Sequence, residues 1–341
     1  MAGVSQATVS RVLNDGGPVA PATRRRVLEA VQQLGYTPNA IARGLVTNRT
    51  QLVGVIVSDV TNPFYPEFLE ASGHLLAERG FRMVFHNAAK HEGDDELTRL
   101  LLEQRVDGIL FLSAELESAA VRRLVERRFP IVLANRYVDG VVCDTVVTDN
   151  RRGGSAVARH LLELGHKRIA VIAGHDRAST SRDRLDAFRD ELASAAVELR
   201  EELVAEGEFR YDLAYEATRR LLTLPVGRRP TAIFCVNDLM AFGALNAARA
   251  TRMRVPEQLS VVGFDAVPMS GWEAFRLTTV RQPLTDMAVA AADLLVERIR
   301  DVRRAPRTTT FPSTLIVRET TAPAPRRTSR RPRRATVETK R

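Results

Sequence analysis

Val4-Ser5-Gln6-Ala7-Thr8-Val9-Ser10-Arg11-Val12-Leu13-Asn14 reads as a short helix with two unlike faces. Val9, Val12 and Leu13 recur at helical spacing and form one apolar stripe. Ser5 stands where its hydroxyl can accept from backbone N–H groups two or three residues on, capping the helix. The other face carries Gln6, Ala7, Ser10 and Arg11, short polar groups and one guanidinium. Such a face fits a DNA major groove, where Gln suits adenine, Arg suits guanine and Ala meets a thymine methyl. Periodicity alone leaves an ordinary amphipathic surface helix equally open.

Outward from this run, Val19, Thr23-Arg24, Leu34-Gly35-Tyr36, Pro38-Asn39, Ala42-Arg43 and Leu45 follow in one register. The order resembles the DNA-binding head of the LacI/GalR family of bacterial repressors, and the likeness resumes through the chain to about Thr321. The resemblance implies DNA contacts from Ser5, Gln6, Ala7, Thr8, Ser10, Arg11 and Asn14. It implies a hinge helix over about 38–46, with Asn39 and Ala42 at the DNA and Leu45 wedged into the minor groove. Gly44 inside so short a helix costs about 1 kcal/mol relative to Ala, which leaves it marginal alone; the resemblance implies a segment that folds only when paired with its dimer mate on DNA, and a flexible linker is the alternative. The family also has a helix before the recognition helix, packed on its apolar face. The open reading frame is therefore expected to continue upstream of Met1, and the chain as written to bind its operator weakly.

Asp15-Gly16-Gly17-Pro18 reads as a turn. A second helix is expected from Pro21 to Leu34, with Val27, Leu28, Val31 and Leu34 facing inward and Arg24, Arg25 and Arg26 toward phosphates. Ala20 stands where the family often has a capping Ser, a loss of roughly 1 kcal/mol. These elements make a small all-α helix-turn-helix head over residues 1–48.

From Leu52 the pattern becomes alternating strand and helix. Apolar β-rich runs lie at Leu52–Val57, Arg82–His86, Gly108–Leu112, Ile131–Ala134 and Thr145–Thr148. A second series lies at Ile169–Ala173, Leu203–Glu206, Ala232–Cys235 and Ser260–Phe264. Alternation of this kind predicts βαβ units and parallel sheets, an α/β fold with two doubly wound lobes. By resemblance this is a periplasmic-binding-protein-like sensor over residues 51–321. Lobe 1 is expected over about 51–149 and 280–310, lobe 2 over about 150–277 and 311–321, with crossings near Asn150, Leu277–Val280 and Phe311.

Such folds bind ligands beyond the carboxyl ends of their strands. Asn62, Phe64 and Tyr65 follow the first strand, Asn135 and Arg136 the fourth, and Thr180, Arg182 and Arg184 the strand ending at Ala173. Phe209 follows Leu203–Glu206, Asn237 and Asp238 follow Cys235, and Asp265 ends the last strand. The resemblance matches Arg184, Asn237 and Asp265 to effector-contacting positions, with Phe64, Tyr65 and Phe209 as aromatic walls. Arg, Asn and Asp groups between aromatic walls suit a sugar. Helix caps at Asn237, Asp238 and Asp265 and a structural ion pair at Arg184 are the alternatives. Asn135 replaces the family's more usual Asp, and Ala178 stands where the purine-binding relative has Arg, which argues against a purine. Trp272 belongs either to the pocket rim or to the lobe hinge.

The net charge of +9 is divided unevenly. Residues 1–50 carry six Arg against Asp15 and Glu29, and residues 322–341 seven Arg and a Lys against Glu338, leaving the middle mildly acidic. Basic ends suit nucleic acid. The Pro- and Arg-rich 322–341 stretch is expected to be a disordered tail. Cys143 and Cys235 are far apart and expected as buried thiols, and the six histidines as ordinary surface or strand-end residues without ligand spacing. GxGxxG, Walker, G-x-S-x-G and H-E-x-x-H motifs are missing, and Gly153-Gly154 reads as close helix packing. No enzyme activity, cofactor or metal is expected. With no membrane-length apolar run or signal peptide, the cytoplasm is the expected compartment. The reading is a ligand-responsive repressor, a homodimer on a near-palindromic DNA operator with a sugar effector. Its rivals are a sugar sensor without effective DNA binding and an α/β enzyme on a nucleotide or sugar.

Overall fold

The computed structural model describes residues 2–13, 17–35, 49–87 and 94–325. The expectations for Asn14, Asn39, Ala42, Leu45, the hinge helix over 38–46 and the tail beyond 325 lie outside these residues.

Helix α1 (Gln6–Leu13) begins where Ser5 predicts, with Thr8 N–H donating to Ser5 Oγ at 3.3 Å. Helix α2 (Pro21–Gln33) starts at Ala20, which has no side chain to cap it. The two helices pack together with Val12 and Val27 buried. Leu28 and Leu34, expected to face inward, are instead 48% and 57% exposed. The apolar stripe of α2 is thus only partly covered.

The first lobe is built on β1 (Leu52–Val57), β2 (Arg82–Asn87), β3 (Gly108–Phe111), β4 (Ile131–Ala134) and β5 (Asp144–Thr148), joined by α3 (Phe64–Glu78), α4 (Asp94–Glu103) and α5 (Ala119–Glu126). The second is built on β6 (Ile169–Ala173), β7 (Val204–Glu206), β8 (Ala232–Cys235) and β9 (Ser260–Asp265), with α6 (Asn150–Glu163), α7 (Ser179–Ser194), α8 (Tyr211–Thr223) and α9 (Asp238–Ala250). Continuous apolar runs such as Leu52–Val57 are buried on both faces, as a covered parallel sheet requires. Then come β10 (Thr278–Arg281), α10 (Leu284–Arg300), β11 (Thr308–Phe311) and β12 (Thr314–Ile316).

The sheet orders are β11-β5-β4-β3-β1-β2 and β12-β10-β9-β8-β6-β7. Every pairing is parallel except β10 with β12. Strand β10 pairs with β9, so the second passage between lobes follows Arg281 rather than falling at Leu277–Val280. Polar Thr278 and Thr279 are fully buried there, a strand that apolar patterning does not reveal. Helix α10 returns to the first sheet, β11 pairs there with β5, and the third passage lies between Phe311 and Thr314.

Residues 322–325 are not part of a free tail. Ala322 N–H donates to Ser260 Oγ at 3.1 Å and Ala324 N–H to Leu164 O at 2.8 Å, tying them to the second lobe.

Candidate functional site

A cavity of about 780 Å³ opens between the lobes at the carboxyl ends of both sheets. Phe64, Tyr65, Asn135, Thr180, Arg184, Phe209, Asn237 and Asp265 all line it. Three of them hold non-glycine backbone in the left-handed region: Asn135 at φ 67°, Phe209 at φ 59° and Asp265 at φ 116°. Each such residue costs of order 1 kcal/mol or more, and such strain gathers where side chains must be aimed. Asp238 does not line the cavity. It is buried behind Asp265, with Oδ2 accepting from Val267 N–H at 2.9 Å and Oδ1 bonded to the Thr279 hydroxyl. Burial holds its carboxyl well above the usual range. Asp238 therefore braces the wall, and Trp272, 56% exposed, is not part of the lining.

Arg184 and Asp265 form the buried centre of the cleft, Nη1 to Oδ1 at 3.3 Å. Arg184 also donates through Nε to Asn150 Oδ1 at 2.7 Å and through Nη1 to Val236 O at 2.6 Å, with its guanidinium 3.6 Å from the Phe264 ring centroid. Asp265 Oδ1 accepts from Gln282 Nε2 at 2.7 Å. Asn150 opens α6 just after the first passage between lobes, and Gln282 lies in the second. The ion pair is thus wired to two of the three connecting strands. Burial pushes the Asp265 carboxyl up to about 6, against the opposing pull of Arg184. Arg184 is likewise lowered by burial.

Glycines admit this arrangement. A Cβ on Gly154 would stand 2.4 Å from the Arg184 carbonyl oxygen, so α6 and α7 approach only because it is absent. A Cβ on Gly174 would enter the Phe209 ring.

Asn237 caps α9 through its Oδ1, as Met240 N–H donates at 2.9 Å, and turns a buried, unpartnered Nδ2 toward the cavity. Tyr65 is held by a 2.8 Å bond to Ser58 Oγ and by Phe64 set edge-on. Asn135 Nδ2 donates to Leu112 O at 3.4 Å, a contact that stays within lobe 1.

Two further lining residues, Arg136, which follows the fourth strand, and His175, expected as an ordinary histidine, were not assigned to the pocket by sequence. Arg136 is buried with its guanidinium 5.1 Å from the Phe209 centroid, and His175 sets its ring edge against the same phenyl at 5.4 Å. Burial lowers His175 to about 4, with Arg136 and Arg177 adding to the effect. Both follow strand ends, which was the only available signal. His166 also departs from the expected surface role. It is buried and bonded to Thr231, Ser260 and the Ala322 carbonyl. Cys143 and Cys235 are free, buried thiols raised by desolvation, Cys143 to about 11.

A second set of contacts joins the lobes through α7. Arg182 reaches Asp139 with Nη1 to Oδ2 at 2.7 Å and Nη2 to Oδ1 at 2.9 Å, and donates to Tyr137 Oη at 3.0 Å. Tyr137 Oη donates to Asp183 at 2.9 Å, and Leu116 N–H donates to Arg177 O at 2.9 Å. The hydrogen bonds from Arg182 hold the Asp139 carboxyl below its ordinary range.

In the head, Gln6, Ala7, Ser10 and Arg11 are exposed together on α1, and Ser5 with them, while Thr8 is half-buried. No group of three or more metal-ligating side chains occurs among the described residues, and none of their helices is long and apolar enough to cross a membrane.

Two hinged parallel-sheet lobes around a polar cleft, joined to a helical head with an exposed polar face, define a ligand-responsive DNA-binding regulator. Residues 1–39 match the family model for bacterial regulatory proteins of the lacI family, and residues 158–321 that for a periplasmic binding protein-like domain. The HTH-type transcriptional repressor PurR of Aliivibrio fischeri (strain MJ11) is 35% identical over 306 residues, covering 88% of this chain and 90% of that one. Among solved structures, the transcriptional regulator CelR–cellobiose complex is 36% identical at a TM-score of 0.72, covering 94% of this chain and 97% of that one. The lac repressor dimer bound to operator and the anti-inducer ONPF is 26% identical at a TM-score of 0.83, covering 94% of this chain and 96% of that one. The chain belongs to the LacI family of bacterial regulatory proteins. It is a transcriptional repressor that binds operator DNA and answers to a small molecule, and not an enzyme.

Proposed function

We propose that this repressor acts in the cytoplasm as a homodimer on a near-palindromic operator, with a sugar as its effector. A two-fold protein matches a two-fold site, each head reading one half. Ser5, Gln6, Ala7, Thr8, Ser10 and Arg11 are the candidate recognition residues, extended by Asn14, Asn39, Ala42 and Leu45 outside the described segments. The observation that carries the effector reading is the buried Arg184–Asp265 pair, which lines the cleft and is bonded to Asn150 and Gln282 at two lobe connections. A ligand hydroxyl accepted by Asp265 and aligned by Arg184 would bear directly on the hinge. Coupling of about 1–3 kcal/mol between cleft and head is the usual range for such a device. A volume of about 780 Å³ is ample for a disaccharide, and the similar CelR is in complex with cellobiose.

Fluorescence anisotropy on a near-palindromic operator, with random duplex as control, tests the reading. Operator preference together with release or tightening by a sugar supports it. Binding of sugar with no operator preference would favour a sensor without DNA function.

A further inference from the structure

The cleft holds a buried guanidinium with no carboxylate within ion-pair distance among the described residues. Arg136 is 3% exposed and forms no ion pair among the described residues. Among the described residues its Nη1 donates to Ser113 O at 3.3 Å, and its buried Nε meets no acceptor. Arg184, deeper in, has Asp265 as a counter-ion at 3.3 Å. A guanidinium withdrawn from water without a counter-ion is strongly disfavoured, so its burial asks for a partner.

The neighbouring unmatched groups are donors too. Asn237 Nδ2 is buried without an acceptor among the described residues, and Asn237 lines the same cavity. Thr180 lies in the first turn of the 16-residue α7, whose N-cap position is Ala178 with no capping side chain. Helix N-termini of this kind favour negative charge. Apart from Asp265, already paired with Arg184, the acidic lining residues are exposed or engaged: Glu117 and Glu208 are exposed, Asp59 is half-exposed, and Glu115 and Asp95 meet Arg177 at 3.5 Å and Arg123 at 2.5 Å.

We propose that Arg136 marks an anion subsite in the cleft, so that the effector is an acidic sugar or a sugar phosphate rather than a neutral one. Its carboxylate or phosphate seats against Arg136 Nε, with Thr180 on the other lobe. Its hydroxyls fall to Asp265 and Asn135. The assignment of the hydroxyl-bearing part rests on the sugar reading above, whereas the anion subsite stands by itself.

The probes are inorganic phosphate and acetate, titrated calorimetrically into the full chain in an otherwise weakly coordinating buffer. One of them binds the parent, and Arg136→Gln weakens it by about tenfold or more, the usual size of a buried charge contact. Arg136→Lys keeps most of the binding, and Arg177→Gln at the rim leaves it within about twofold. Preference for phosphate identifies a sugar phosphate, and preference for acetate a sugar acid. If Arg136→Gln does not fold, Thr180→Val is measured instead and weakens the same anion. Failure of both anions to bind the parent, or binding undiminished in the folded variant, overturns the proposal. No sugar enters the measurement, so failure of the sugar reading is seen separately in the operator assay.

Discussion

Asp265→Asn changes the pH dependence of stability in a direction that the cleft geometry dictates. Asp265 is 4% exposed, and burial lifts its carboxyl from 3.8 to about 6 despite Arg184 at 3.3 Å and Gln282 at 2.7 Å. A raised carboxyl means that the folded state keeps its proton longer than the unfolded chain does. Its contribution to stability is therefore complete below about pH 4 and is lost as pH rises through about 6. That rise amounts to about 3 kcal/mol. Asparagine keeps the shape of the protonated acid and cannot ionise. The stability of the variant relative to the parent should thus improve by about 3 kcal/mol between pH 4 and pH 7. His175 masks the effect in the parent alone. Its pKa is lowered to about 4 from 6.5, so its contribution is present above 6.5 and lost as pH falls through 4, opposing Asp265 over the same window. The difference between the two proteins removes that background. Urea unfolding at half-unit pH steps, extrapolated linearly to water, gives the measurement. A difference that stays constant across the range would refute the account of Asp265.

Arg11→Ala should weaken operator binding by about 1–3 kcal/mol and relax preference at one base position, read from a set of single-substitution operators; unchanged preference at every position would remove α1 from the groove. Arg184→Ala removes the counter-ion of Asp265 and a donor to Asn150 and the Val236 carbonyl, and should cost about 3–5 kcal/mol in denaturant, so loss of effector response comes with loss of stability; parental stability would contradict the buried network. Arg182→Ala removes a bidentate but half-exposed contact to Asp139, a loss of about 1 kcal/mol or a fivefold shift toward separated lobes. Inter-lobe distance by fluorescence transfer checks it, and high salt should mimic the variant. Gly154→Ala sets a methyl against the Arg184 carbonyl and should destabilise the second lobe by about 1–3 kcal/mol; a neutral melting midpoint would show that α6 and α7 have room to part.

Much of this molecule was legible in one dimension because its signals are local. Buried parallel strands declare themselves as short apolar runs, and Ile131–Ala134, Ile169–Ala173 and Ala232–Cys235 lie where the pattern set them. Ser5 and Asn237 cap helices through contacts three residues away, and strand-end position brought Arg184, Asn237 and Asp265 to notice. Strand β10 was missed because Thr278 and Thr279 are polar yet fully buried, satisfied by partners 40 or so residues distant. Leu28 and Leu34 were assigned to a core that does not cover them, since periodicity reports a stripe and not what lies against it. The same limit separates Asp238, hidden behind the wall, from Asp265, which faces the cavity. Arg136 shows the division most sharply: its type and strand-end position were visible, but the lack of a counter-ion is a property of everything around it. The latch of Arg182 with Tyr137 and Asp139 joins residues more than 40 positions apart. Sequence order determines which residues stand at strand ends and helix starts, because those depend on neighbours along the chain. Which of them share a pocket, which are matched in charge and which are left wanting a ligand depends on long-range packing of two lobes, and only the tertiary structure decides it.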